Sequence, residues 1–112
     1  MIGVIQKETS VAAAGSNDNL VSGSAFEYLR APSLVSIGLV ASATGGFATI
    51  QIGPTILLEE SPPTVKTSMP VVPDDFLYQA YGAPGDRLVI RVRNPTGGAI
   101  TFRTVVQVTD AG

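Results

Sequence analysis

Two acidic pairs are the first residues in this chain whose spacing could support chemistry. Glu59-Glu60 and Asp74-Asp75 stand at the two ends of a proline-rich segment, residues 59–74. Carboxylates can exchange protons with a substrate or hold Ca²⁺ through oxygen ligands. Adjacent side chains on an extended chain point in opposite directions, so neither pair converges by itself. We expect solvated loop charges here, with a calcium site and carboxylate catalysis as the alternatives.

The arginines form the second group of candidate residues. Arg91, Arg93 and Arg103 fall on the polar face of two strands predicted within residues 86–109, and Arg87 precedes them. Guanidinium groups pair well with carboxylates and with phosphates. We expect a solvated face or salt bridges to neighbouring acids. Contact with an acidic surface on an adjacent subunit and phosphate binding are the alternatives.

Composition removes several other kinds of chemistry. The 112 residues include no cysteine and no histidine. Disulfides, thiolate nucleophiles, cysteine-based zinc sites and the usual general base are therefore absent. The only lysines that could serve as a base, Lys7 and Lys66, lie in no Ser-x-x-Lys motif. With a net charge of −2 there is no global electrostatic case for nucleic acid. We expect neither an enzyme nor a cofactor.

The clearest structural signal is alternation of apolar and polar residues over 86–109. Such a period of two is typical of strands with one buried face, here 88–93 and 100–109 separated by Asn94-Pro-Thr-Gly-Gly98. If these strands pair directly, a register that sets Arg91 opposite Thr101 avoids two facing arginines. In a jelly roll they could instead belong to different sheets, and that register would not apply.

Strand signals also recur along the rest of the chain. Residues 35–43 and 47–52 flank Thr44-Gly-Gly46 and predict a hairpin. Seven to eight short strands, closely spaced turn signals and no three-turn amphipathic helix predict an all-β fold. We expect one domain over 1–112, an antiparallel β-sandwich or jelly-roll-like barrel.

The surface is unusually poor in charge. Only 14% of residues are charged, against ~25% in typical proteins. Either Thr, Ser, Gly and Ala cover the surface, or other subunits do, because interface cores are depleted of charge. The proline-rich segment is either a crossover between two sheets or a segment that reaches onto a partner. Its apolar residues Val65, Met69, Val71 and Val72 are able to pack against such a partner.

The sequence predicts neither secretion nor membrane insertion. Lys7 and Glu8 interrupt the first residues before an apolar run develops. The longest apolar stretch, Leu34–Ala43, contains serine and glycine and is about half the length of a membrane span.

One stretch resembles a known class of proteins. Residues 82–96, GAPGDRLVIRVRNPT, combine a glycine-containing turn with a short alternating strand, and Asn-Pro-Thr-Gly-Gly then precedes the final strand. This resembles the C-terminal part of small viral β-sandwich proteins, namely single jelly-roll capsid subunits and phage decoration proteins. The resemblance implies a structural protein of the virion, assembled in the host cytoplasm, that binds copies of itself and other capsid subunits.

Residues expected at subunit contacts come from the polar strand face and from the proline-rich segment: Arg91, Arg93, Arg103, Val65, Met69, Val71 and Val72. The alternative function is a carbohydrate- or surface-binding β-sandwich module. A hydrolytic enzyme that uses the acidic pairs is the third hypothesis.

Overall fold

The protein is described here by a computed structural model that covers residues 3–24, 27–65 and 78–110. In this part of the chain there are nine strands and no helix, and hence no helix able to cross a bilayer. The strands are β1 (Gly3–Val11), β2 (Ser16–Asn17), β3 (Ser33–Ala41), β4 (Phe47–Ile52), β5 (Thr55–Ser61), β6 (Thr64–Val65), β7 (Tyr78–Gly82), β8 (Leu88–Arg93) and β9 (Ile100–Asp110). The predicted all-β class is confirmed.

Two sheets pack face to face. The four-stranded sheet has the order β2-β8-β4-β5. The five-stranded sheet has the order β1-β9-β3, and β7 and the short β6 both lie along the remaining edge of β3. Every pairing is antiparallel except that of β3 with β6.

The pairings are nested. β1 pairs with β9, β2 with β8, β3 with β7 and β4 with β5. The chain therefore follows the course of one long hairpin, with its tip at β4–β5, that wraps into two sheets. This is the strand order of a jelly roll. The predicted antiparallel sandwich is confirmed.

Alternating side chains build the core between the sheets. In β8, Leu88, Ile90 and Val92 are fully buried, whereas Arg91 and Arg93 point outward and are exposed. The large buried residues of β9 on the same inner side include Phe102 and Val106. Each fully buried aliphatic or aromatic side chain contributes about 1.5–3 kcal/mol, so this alternation fixes which face of each strand turns inward.

The predicted hairpin of 35–43 with 47–52 is wrong, because β3 and β4 lie in different sheets. The Thr44-Gly-Gly46 turn is present, with Gly45 at φ +97, but it carries the chain across the sandwich. β4 instead forms a hairpin with β5 through Gly53-Pro54. Alternation identifies the buried face of a strand but does not determine which other strand pairs with it.

Of the two arrangements considered for the C-terminal strands, direct pairing is not observed. β8 belongs to the four-stranded sheet and β9 to the five-stranded sheet, as in the jelly-roll alternative. Arg91 is opposite Thr49 rather than Thr101. Arg103 is opposite Glu8 on one side and Val40 on the other.

The proline-rich segment is described only in part. Val65 ends β6 and is exposed, while Pro63, the residue before β6, is buried. The other residues predicted for this segment, Met69, Val71, Val72, Asp74 and Asp75, lie outside the described residues.

Candidate functional site

A depression on the described surface lies on the outer face of the four-stranded sheet. Its volume is about 760 Å³. The residues around it come from the loop after β2, from β4 and the turn that follows it, and from the region of β8: Asp18, Gln51, Gly53, Arg87, Val89 and Arg91. We call it the outer-face depression. Polar groups dominate its lining, so its chemistry is hydrogen bonding and charge.

Asn19 fixes the position of Asp18 at the margin of the depression. The Asn19 side chain is buried, and its Nδ2 donates to the Leu88 carbonyl at 2.9 Å. Its Oδ1 accepts from the backbone N–H groups of Val21 and Ile90, at 3.2 and 3.1 Å. These bonds tie the polar loop to the edge of β8, where β2 is only two residues long. The adjacent Asp18 therefore stands beside the strand with its carboxylate exposed.

Arg87 is held at the other side of the depression by an acidic partner. Its Nε and Nη2 each lie 2.9 Å from Oε2 of Glu27, and its guanidinium lies 5.8 Å from the ring centroid of Tyr28. The backbone N–H of Gly23 donates to the same glutamate at 2.8 Å. That hydrogen bond, together with Arg87, lowers the pKa of Glu27. The charge of Arg87 is thus largely compensated.

Arg93 is also paired. It lies over the Phe47 ring at 4.8 Å, and its Nε donates to Glu60 Oε1 at 2.8 Å. The salt bridges to neighbouring acids that the sequence suggested are therefore present at Arg93, as at Arg87. Each of these two arginines forms its ion pair with a glutamate of the same chain.

Arg91 differs from its two neighbours. It lies between them along β8, is exposed, and lines the depression. Within the described ranges its guanidinium takes part in no ion pair or hydrogen bond. A guanidinium carries five N–H donors in a planar fork. Arg91 thus offers a donor set that the described residues leave to solvent.

Arg103 does not join this group. It lies on the outer face of the five-stranded sheet, where its Nη2 is 3.2 Å from Oε1 of Glu8. Only 18% of its side chain is exposed, and its Nη1 is buried without a hydrogen-bond partner among the described residues. Since β8 and β9 occupy different sheets, their outward side chains point to opposite sides of the molecule. The single polar strand face predicted for the arginines is therefore wrong.

The acidic pair that is described behaves as surface charge. Glu59 and Glu60 are both exposed on β5, and Glu60 pairs with Arg93. Residues 3–24, 27–65 and 78–110 contain no group of three or more His, Cys, Asp or Glu side chains placed to hold a metal ion. The predicted partners Asp74 and Asp75 fall outside those ranges.

Sequence reasoning missed two residues that contribute polar side chains to the depression. Gln51 is the polar member of an alternating strand, and alternation alone marked it only as outward-facing. Asp18 lies in a run of loop-forming residues that carried no chemical signal. The pairing of β2 with β8 and the buried bonds of Asn19 bring it next to β8, and neither feature is recognisable from a single sequence.

No protein-family model, curated protein or solved structure matches this chain. Inference about its function therefore rests on the geometry of its own residues.

Proposed function

We propose that this chain is a structural protein of a virion, a small capsid or decoration subunit that assembles through loop, terminus and sheet contacts. The observation that carries the proposal is the jelly-roll strand order, completed in only 112 residues. Jelly rolls recur in viral capsid and lectin domains. Its partners would be copies of itself and other capsid subunits, and its location the virion.

One end of the sandwich supports a role in assembly. Three connections meet there, residues 12–15, 42–46 and 94–99, and none contains a charged residue. They bind one another directly: the N–H of Ala14 donates to the Thr96 carbonyl at 3.1 Å. Covering an uncharged surface requires no charge to be desolvated. We call these three connections the uncharged end, and it suits close approach of another subunit.

The outer face of the five-stranded sheet supports the same role. Its Glu8 and Arg103 compensate each other, and two large apolar or aromatic side chains stand exposed farther along the same face. Val4 is 56% exposed and Tyr81 is 75% exposed. Tyrosine is enriched in protein interfaces, whereas unpaired charge is depleted from their cores.

The solution mass of the protein tests the proposal. Sedimentation velocity over a range of concentrations, with negative-stain microscopy of the same samples, should show a trimer or a larger assembly. A monomer at high concentration that neither forms particles nor binds a capsid partner contradicts the proposal.

The outer-face depression favours the second candidate function, a carbohydrate- or surface-binding module. Small-molecule sites typically have volumes of about 300–1,000 Å³, and the depression falls in that range. Clear hits on a glycan array, with no assembly in solution, would place this function ahead of the first.

A further inference from the structure

The groups that remain available in the outer-face depression define what it can bind. Arg91 offers a guanidinium that has no partner in the part of the chain that the structure describes. Gln51 donates from Nε2 to the Gly53 carbonyl at 2.8 Å, which orients the amide and leaves Oε1 as an acceptor. Asp18 adds an exposed carboxylate. The depression therefore presents one strong donor fork and two acceptors.

Charge within the depression narrows the ligand further. Arg87 is compensated by Glu27, so Arg91 is the cation left to a ligand, and Asp18 is a nearby anion. Asp18 and Arg91 do not pair with each other. A polyanion such as nucleic acid or a phosphate cluster would be repelled by Asp18 and would find too few cations. A ligand with one negative group and several hydroxyl donors can pair with the Arg91 guanidinium and also donate hydrogen bonds to the Asp18 carboxylate.

We propose that the outer-face depression binds an acidic saccharide, with the sugar carboxylate on Arg91 and its hydroxyl groups donating to Asp18 and Gln51 Oε1. The carboxylate matches the planar fork of the guanidinium. Val89 supplies an apolar contact for the C–H groups of the sugar ring. This binding does not depend on whether the chain assembles, so either proposal can fail alone.

A matched pair of ligands tests the proposal. Methyl glucuronide and methyl glucoside differ at C6, where the first carries a carboxylate. In an NMR titration of the full chain, methyl glucuronide should shift the amide signals of Asp18, Gln51 and Arg91. Methyl glucoside should bind about tenfold more weakly, because it lacks the charge-assisted hydrogen bonds. Equal affinity for the two sugars overturns the proposal.

Variants separate the proposed roles. Arg91→Ala should reduce methyl glucuronide affinity at least about tenfold. Arg30→Ala is the matched control, since it removes the same charge from an exposed residue outside the depression, and it should leave binding unchanged. Both positions are exposed, so folding should survive. If the two variants lose affinity equally, the recognition is non-specific and the proposal fails.

A second substitution, Asp18→Asn, distinguishes a sugar site from a simple anion site by whether it raises or lowers the affinity for each ligand. Asp18→Asn removes a negative charge, so it should tighten binding of acetate. The same change weakens an acceptor for hydroxyl groups, so it should loosen methyl glucuronide. Tighter binding of both ligands would show that only the anion is recognised.

An altered solution mass in Arg91→Ala, without saccharide binding by the native chain, would assign the depression to an acidic segment of a second copy. Either result overturns the proposal.

Discussion

A buried asparagine side chain stabilises each end of the sandwich, but the two ends differ in the charge of their surfaces. Asn94 is fully buried at the uncharged end, and Asn19 is buried at the other end. The three connections around Asn94 contain no charge, although the Arg93–Glu60 ion pair lies next to them. At the other end, Asp18 adjoins Asn19, and Glu27, Asp86 and Arg87 belong to segments that bond to Leu88 and Leu29. A buried amide can satisfy several backbone groups where strand pairing stops. The fold thus fixes a surface that is easily covered at one end and a solvated, charged surface at the other.

The bonds of Asn94 are the denser of the two sets. Its Nδ2 donates to the carbonyls of Val11, Ala12 and Gly98, at 3.0, 3.2 and 2.7 Å. Its Oδ1 accepts from the backbone N–H and the hydroxyl of Thr96, at 3.1 and 2.6 Å. One side chain therefore joins the end of β1 to the turn that leads into β9.

The largest effect is expected for Asn94→Ala. It takes the Asn94 donor from the buried carbonyl of Val11 and from two partly buried carbonyls, and the acceptor from the Thr96 N–H. A buried group left unsatisfied costs about 1–3 kcal/mol, so we expect a loss of about 3 kcal/mol in the free energy of unfolding. Urea denaturation measures it. Thr96→Val is the control, because it removes one partner of Asn94 and leaves the amide in place. A loss below about 1 kcal/mol for Asn94→Ala would show that the stability of these loops does not depend on the Asn94 side chain.

Asn19→Ala should have the next largest effect, about 2 kcal/mol by the same measurement. Its side chain makes fewer bonds than Asn94, but the N–H of Ile90 and the carbonyl of Leu88 lose their partner. This variant should also shift the amide signals of the outer-face depression, whereas Asn94→Ala should not. A larger loss for Asn19→Ala than for Asn94→Ala would reverse the ranking of the two ends.

The charged end should respond to acid. The Gly23 N–H and Arg87 lower the pKa of Glu27 in the folded protein. Its contribution is therefore present above the ordinary pKa of a glutamate and is lost as pH falls through the lowered value. Glu27→Gln should flatten the acid side of a plot of unfolding free energy against pH. Added salt should screen Arg87 but spare the Gly23 bond, so part of the slope should remain. An unchanged slope in Glu27→Gln contradicts this account.

The smallest effect on stability is expected at an exposed alanine of the uncharged end. Ala13→Glu should change the free energy of unfolding by less than about 0.5 kcal/mol. If this end forms subunit contacts, the same substitution should reduce the assembled fraction in sedimentation. Arg30→Glu, at the charged end, should leave assembly as it is. Equal assembly of the native chain and both variants would exclude the uncharged end from the contact.

The sequence predicted the faces of the strands better than their partners. Alternation in 88–93 placed Arg91 and Arg93 outward, because burying Leu88, Ile90 and Val92 leaves no other arrangement. Partners depend on how the whole chain wraps, and nothing in residues 35–52 records that β3 and β4 separate into two sheets. Strands of two residues, such as β2 and β6, are too short to show a period.

The outer-face depression was less accessible to prediction than the fold. Arg91 was identified as an outward-facing cation, but its lack of a partner among the described residues follows from the positions of Glu27 and Glu60, which pair with Arg87 and Arg93 instead. Asp18 and Gln51 reach it only through the β2-β8-β4 order of the sheet. A site formed by residues that are distant in sequence requires the topology first.

The pairing of β1 with β9 has a consequence for the order of folding. Gly3 is opposite Val108 and Val11 is opposite Ile100, so a ribosome completes β1 long before its partner exists. Proteins rich in such distant pairings fold slowly, in milliseconds to seconds. Until β9 is available, the unpaired β1 can promote aggregation. Lys7 shares the inner face of Ile5 and Val11 on this strand. A charge in that position discourages premature pairing with another nascent chain until β9 emerges.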